Sequence, residues 1–301
     1  MDYIKVSKAA EKWGISARRV RLLCAEGKVP GVIRRGNLYM IPANAPKPLD
    51  GRRTRAGLLA EIDVKRERLN ELRPLTPGEV ARLRDEFMIE FTYNSTAIEG
   101  NTLTLKETAM VLEGVTIDQK PLKDHLEAVG HRDAFLYIED IAKQAIPLSE
   151  FVIKNIHSLV LMDKPEDKGV FRRIPVHIMG AYTEPVQPYL IEPKITELIA
   201  VNEERMVHMN PIERIARFHL EFEGIHPFID GNGRTGRLIM NLDLIRCGLP
   251  PVNVKFTDRK KYYDAFDAYY RDNDASAMTD LIAGYVNERL DTYLSILSEE
   301  Q

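Results

Sequence analysis

Twelve consecutive residues, His226-Pro227-Phe228-Ile229-Asp230-Gly231-Asn232-Gly233-Arg234-Thr235-Gly236-Arg237, hold an imidazole, a carboxylate, a glycine-rich turn and two guanidinium groups. A helical apolar pattern follows at once in Leu238, Ile239, Leu242 and Ile245. A glycine-rich turn that opens a helix aims main-chain N–H groups from the positive helix end, which makes an anion cradle. His226 precedes Pro227 and is expected to be extended at the end of the preceding helix. There it is suited to general-base work near neutral pH. Asp230 is the residue type that holds a Mg²⁺ bridging phosphates. Gly231 and Gly233 permit a tight turn and close approach of an anion. Arg234 and Arg237 are each able to grip phosphate oxygens through paired hydrogen bonds. Singly, each has a structural reading as a core histidine, a turn aspartate or a surface arginine. Together, at this spacing, they point to chemistry on a nucleotide phosphate.

The elements that position this segment read as helices. Thr76-Pro77-Gly78-Glu79 is a capping box with proline at the first helical position, and it opens a helix toward Ile98. Thr104 with Glu107 opens another, closed by Gly114. Further helices are expected over 121–144, 149–161, 192–207, 211–224, 234–247, 258–271 and 275–298. Ile174 to Ile191 breaks the pattern: β-branched residues and prolines, with Gly180 in the middle, predict a β-hairpin with a long tip.

The net charge of −3 hides an asymmetry. Residues 1–55 hold 13 Lys and Arg against 4 Asp and Glu, whereas the remainder holds 29 against 41. A basic head on an acidic body predicts two modules with different partners. In the head, Ser7 is expected to cap a helix through Trp13, Gly14 to turn the chain, and Ser16 to cap a second helix through Cys24, which Gly27 ends. Gly31 to Ile41 then reads as a hairpin with a basic tip. Residues 1–45 so resemble the winged helix-turn-helix domains of bacterial regulators. Arg18, Arg19 and Arg21, near the start of the second helix, and Arg34 and Arg35, on the wing, are the candidate contacts to duplex DNA. A basic surface for protein contact is the competing reading. Residues 46–75 read as a linker, rich in Pro and Arg, leading into a connecting helix from about Ala56 to Leu72. Cys24 and Cys247 have no metal-ligand spacing and read as reduced thiols. The first residues carry no apolar stretch of the secretory type and no run is long enough to span a membrane, so a cytoplasmic location is expected.

The signature at 226–237 resembles that of the Fic family, H-P-F-x-[DE]-G-N-G-R-x-x-R, with every fixed position matched. The resemblance covers roughly residues 80–298 and implies a mainly α Fic domain over 76–301 with a β-hairpin flap. It further implies transfer of AMP from ATP to a Ser, Thr or Tyr hydroxyl of a target protein. His226 would then deprotonate the hydroxyl, and Asp230 would hold Mg²⁺. Gly231, Gly233 and the side chain of Asn232 would form the hole for the α-phosphate. Arg234 would meet the β-phosphate and Arg237 the γ-phosphate, with Thr235 and Gly236 completing the nucleotide loop. Tyr262 and Tyr263 resemble the adenine-side tyrosines of the family; two core tyrosines are the alternative. Asn273 is a further adenine candidate. The target would add as a strand to the flap, near Ile178, Met179 and Gly180. A homodimer is carried as a further partner.

A second motif, Ser95-Thr96-Ala97-Ile98-Glu99-Gly100-Asn101, is similar to the family's inhibitory pattern, [ST]-x-x-x-E-[GN]. Ser95 and Glu99 are four apart, on one helix face. In the family's logic the helix near 77–99 is inhibitory, and Glu99 competes with the ATP γ-phosphate for Arg237. In some relatives this glutamate also serves removal of AMP. The alternatives are a Fic enzyme that transfers another phosphate-linked group, and a DNA-binding regulator that uses the Fic body as a nucleotide sensor.

Overall fold

The computed structural model describes all residues except 1–2, 15, 26–28, 37, 44, 46–53, 179–181 and 299–301, and only the backbone of residues 19, 22 and 35. It divides into two compact units, Met1–Gly57 and Leu58–Gln301.

In the first unit, β1 (Tyr3–Lys5) leads into α1 (Val6–Trp13) and α2 (Ala17–Ala25), followed by β2 (Ile33–Arg35) and β3 (Leu38–Pro42). β3 lies between the other two strands, antiparallel to both, with Ile4 opposite Ile41 and Arg34 opposite Tyr39. Val6, Ala9, Trp13, Val20, Leu23 and Ile41 make its small core. Gly14 ends α1 in the left-handed region at φ 65°, as its sequence position predicts. Ser7 does not cap α1. The helix starts two residues earlier than that cap would give, at Val6 after an extended Lys5 with no side-chain cap, because β1 runs straight into it. The expected stop at Gly27 lies outside the described residues.

The second unit is built from α3 (Arg55–Glu71, counted from Leu58), α4 (Pro77–Ile98), α5 (Leu105–Leu112), α6 (Leu122–Lys143) and α7 (Glu150–Val160). α8 (Ile191–Arg205), α9 (Pro211–Ile225), α10 (Asn232–Arg246), α11 (Arg259–Asp272) and α12 (Ser276–Ser298) complete it. Both predicted capping boxes form: Thr76 and Thr104 each accept from the main chain three residues on, and Glu79 and Glu107 reach back. Ser149 and Asn210 cap α7 and α9. The boundary between units falls inside the expected connecting helix, because Leu59 and Ile62 of α3 join the core of α9 to α12.

α9 and α10 feed two apolar clusters at once. One gathers Phe87 and Phe91 of α4, Phe135 of α6, Ile156 of α7 and Phe222 and Leu238. The other gathers Ile212 and Ile215 with Met240, Tyr262, Ile282 and Val286. α10 is consequently buried along twelve of its fifteen residues, so its charged side chains need partners. Asp243 accepts from both terminal nitrogens of Arg214, which also donates to Asn202 at 2.9 Å and to the Cys247 thiol at 3.3 Å. That network ties α8, α9 and α10. Neither cysteine is in a disulfide.

Ile174 to Ile191 is not the predicted strand pair. Among its described residues no strand forms, and the segment ends in a 3-10 turn at Pro188–Leu190. Pro175, Pro185 and Pro188 lack the N–H a ladder needs, and among the described residues no strand pairs with the segment. Met179 and Gly180 lie outside the described residues.

Candidate active site

The signature lies where α9 ends and α10 begins. His226 is the C-cap of α9, at φ 51° and ψ 61°, with its N–H donating to Phe222 O. This left-handed conformation corrects the extended one expected before proline. The helix termination needs it, and main-chain contacts hold it: Arg172 Nε donates to His226 O at 2.8 Å, and Arg172 N to Pro227 O at 2.9 Å. His226 Nδ1 is buried without a hydrogen-bond partner, 3.9 Å from Glu223 Oε2. Burial and then the Arg172 charge push the imidazole down to about 4, so His226 is a neutral acceptor at pH 7.

The loop is shaped by Asn232. Its Oδ1 accepts from Phe228 N and its Nδ2 donates to Phe228 O, both at 2.9 Å, and the residue is 2% exposed. The side chain is therefore the staple of the turn and is not turned toward an anion, a correction to its expected place. Thr235 is likewise fully buried, its hydroxyl unpartnered. Gly231 turns the chain at φ 76°. A β-carbon on Gly231 would meet His157 at 3.3 Å. His157 stacks on Phe228 with ring centroids 3.6 Å apart and spans Asp230 O and Gly169 N, both at 2.9 Å. Burial holds the His157 imidazole at about 4, so its Nδ1 stays an acceptor for Gly169 and its Nε2 a donor to Asp230.

The Asp230 carboxylate accepts from Lys164 Nζ at 2.7 Å, Gly231 N at 2.6 Å and Arg234 at 3.2 Å. Burial alone would raise it, but Lys164 and Arg234 outweigh that and hold it at about 2. No cluster of three or more metal-ligating side chains forms among the described residues. A divalent cation here would have one protein carboxylate and would need a substrate's oxygens for the rest, the usual arrangement for Mg²⁺ on a nucleotide. Arg234, 1% exposed, also forms an ion pair with Glu127 at 3.0 Å.

Arg237 is fully buried and donates to four acceptors, the most distant being the Tyr262 hydroxyl at 3.4 Å. Nε donates to Ser95 Oγ at 3.0 Å, and one terminal nitrogen donates to Ser95 O at 2.7 Å and Glu99 Oε1 at 2.8 Å. Burial works against its charge, yet Tyr262 and Glu99 more than offset this and its pKa is raised. Glu99 Oε1 would be 2.3 Å from a β-carbon on Gly233. The carboxylate thus lies over the first turn of α10, at the anion-binding end of the helix.

Of these groups Glu99, His226, Gly233 and Arg237 line a cleft of about 470 Å³, together with Ile178, Glu223, Tyr262, Tyr263, Phe266, Asp267 and Tyr270; Asp230 and Arg234 are not in its lining. Such a volume suits a nucleotide-sized ligand. Tyr262 is 2% exposed, its hydroxyl 2.6 Å from His219 and 3.4 Å from Arg237. Tyr263 is 46% exposed and offers an open ring. Asn273 caps α11 at φ 54° and is not in the lining. Sequence reasoning passed over His157, Lys164, Arg172, Glu127 and Glu223. Burial and then the Glu99 charge push the Glu223 carboxyl up to about 8, so it is protonated at pH 7. His157, Lys164, Arg172 and Glu127 reach their partners from distant parts of the chain with no local motif to announce them, whereas Glu223 stands three residues before His226, a spacing that offered a signal.

Residues 147–244 match the Fic/DOC family model. The protein adenylyltransferase Fic of Drosophila yakuba is 34% identical over 260 residues, 85% of this chain and 51% of that protein. Its Drosophila melanogaster counterpart is 33% identical over the same shares. The chain spans about half the length of the curated relatives it matches. Among solved structures, Fic-1 (residues 134–508) of C. elegans superposes with a TM-score of 0.73 at 27% identity, over 82% of this chain and 74% of that one. A Fic domain containing signaling protein of Bacteroides thetaiotaomicron also gives 0.73, at 26% identity, over 81% of this chain and 98% of its own. The chain carries a Fic domain and is homologous to the nucleotidyltransferases named protein adenylyltransferase Fic. No described helix is long and apolar enough to cross a membrane.

Proposed function

We propose that this chain transfers AMP from ATP to a Ser, Thr or Tyr hydroxyl of a target protein and is held off by Glu99. One observation carries the reading. The anion-binding end of α10 is taken by the chain's own carboxylate, Glu99, bonded to Arg237 at 2.8 Å. A helix N-terminus with a buried arginine and a neutral base beside it is built for phosphate, and Glu99 stands in the place of one.

In the reaction the target hydroxyl oxygen attacks the α-phosphorus, the bond to the β-phosphate oxygen breaks, and pyrophosphate leaves. His226 takes the hydroxyl proton through Nε2, since Nδ1 is buried against Glu223. The negative charge of bound triphosphate raises the imidazole from its low value toward neutrality, which strengthens it as a base. Main-chain N–H groups of Gly231 to Gly233 take the α-phosphate oxygens, Arg234 the β-phosphate and Arg237 the γ-phosphate. Positioning and charge stabilisation supply most of the rate. Asp230 would hold Mg²⁺, which when bound neutralises phosphate charge; Lys164 must first release the carboxylate. Tyr263 and the apolar side of the cleft take the adenine. The segment 174–191, with Ile178 at the cleft, receives the target. Glu99 also has the placement for a water-directing role in AMP removal.

The test is label transfer from α-labelled ATP. Glu99→Gly should incorporate more label than the unaltered protein, and mass spectrometry of a treated lysate should report both the group and its target. A second reading concerns the head, whose Arg18, Arg21 and Arg34 are exposed. We propose that it binds duplex DNA through these residues. The expected result is binding by the whole protein that weakens steeply with salt; salt-insensitive or absent binding leaves the head as a protein-contact module.

A further inference from the structure

Arg172 is a buried cation, 5% exposed, whose described hydrogen bonds all go to main-chain carbonyls. Nε donates to His226 O at 2.8 Å; one terminal nitrogen donates to Ile174 O at 3.0 Å; the other donates to Val186 O at 2.5 Å and Ile225 O at 3.4 Å. Its own N–H donates to Pro227 O at 2.9 Å. A buried charge without a carboxylate is costly unless dipoles surround it. Two of these carbonyls are at the C-terminal end of α9, where the helix leaves unpaired oxygens and partial negative charge. The other two belong to Ile174 and Val186, on either side in sequence of Ile178, which lines the cleft.

We propose that Arg172 is the positioning residue of the reaction, tying both ends of the target-docking segment to the main chain of the base. This rests on the reading of His226 as base and of 174–191 as docking segment. His226 is in a left-handed conformation before a proline, a state that persists only when its surroundings impose it. The same guanidinium that fixes its carbonyl also fixes Ile174 and Val186, so a target aligned on the segment is aligned on the imidazole. A lysine keeps the charge but has no planar fork to reach three segments together.

The experiment uses the whole protein with Glu99→Gly, alone and combined with Arg172→Lys or Arg172→Gln. The probe is α-labelled ATP with Mg²⁺, the protein itself serving as acceptor. Both combinations should lower the labelling rate at saturating ATP by about 30- to 100-fold, the loss expected from a misplacement near 1 Å. KM for ATP should change by less than about threefold, because Arg172 does not line the nucleotide cleft. The titratable and charged groups facing His226 are Arg172, Glu223, Asp230 and, in the parent protein, Glu99. Of these only Arg172 differs between the combinations, so Arg172→Gln should move the acid limb of the rate to higher pH and Arg172→Lys should not. Hydrogen exchange supplies a readout that needs no catalysis: peptides over 170–178 and 222–230 should lose protection together in Arg172→Gln. An Arg172→Lys combination that labels as fast as its parent overturns the proposal, as does faster exchange confined to 170–178. If Glu99→Gly itself labels nothing, the adenylyltransferase reading fails, and the exchange result still decides the clamp.

Discussion

Replacing Glu99 with glycine removes one hydrogen bond and one charge from a buried arginine. The bond from Arg237 to Glu99 is 2.8 Å long, and the carboxylate is 32% exposed, so water already screens part of it. A hydrogen bond to a charged group contributes roughly 1.5–3 kcal/mol. That range equals a roughly 10- to 150-fold gain in the fraction of Arg237 free to hold a phosphate. The same change costs stability in the absence of nucleotide: Arg237 keeps Ser95 Oγ and Ser95 O but loses its only carboxylate among the described contacts. Glycine at the end of α4 also adds backbone entropy to the unfolded chain. We expect Tm to fall without ligand and to recover with ATP and Mg²⁺, by mass action. The assay is a matched pair: initial rate of label transfer from α-labelled ATP, and ATP affinity by calorimetry. Glu99→Gln should be intermediate, since it keeps the shape and loses the charge. A Glu99→Gly protein that is folded, binds ATP and transfers label no faster than its parent refutes the competition for Arg237.

Other perturbations separate the remaining parts. His226→Ala should abolish transfer while calorimetric ATP binding persists; retained transfer removes it as the base. Glu223→Gln replaces a carboxyl whose folded pKa, about 8, is raised above its ordinary 4.5 by burial and the Glu99 charge. The stability such a group contributes is present below pH 4.5 and is lost as pH rises through 8. The variant should thus match its parent near pH 5 and gain about 1 kcal/mol per pH unit between 5 and 8, read by denaturant titration; a gain independent of pH contradicts the burial. Asn232→Ala leaves both main-chain groups of Phe228 unpaired and should cost about 2–4 kcal/mol of stability as well as transfer; full stability would show the staple to be dispensable.

Much of the helical frame was legible locally. Thr76 with Glu79, Thr104 with Glu107, Ser149 and Asn210 act within one turn of their helices, so four residues suffice to place each start. The spacing of Ser95 and Glu99 likewise predicts one face, and both meet Arg237. Where a local rule competed with a distant contact, the contact won. His226 obeys the end of α9 and the Arg172 guanidinium rather than the proline that follows it. Ile174 to Ile191 has strand-forming residues but no partner edge among the described residues, and three prolines weaken any ladder. β1 has no local signal, because its three residues become a strand only when Met40, Ile41 and Pro42 pair with them.

The chemistry proposed for this protein is legible in the sequence alone: an imidazole, a carboxylate, a turn and two arginines in one segment, and a glutamate elsewhere of a type able to oppose them. Their identities and local spacings decide it, because anion binding at a helix start is a property of a few adjacent residues. Which groups tune that chemistry was decided only by the fold. Arg172 reaches His226 across 54 positions, Lys164 reaches Asp230 across 66 and His157 reaches the same residue across 73. No short-range pattern encodes such meetings. They arise from burial of α10 on nearly every face, which forces each charge in and around it to find a partner from another helix or loop.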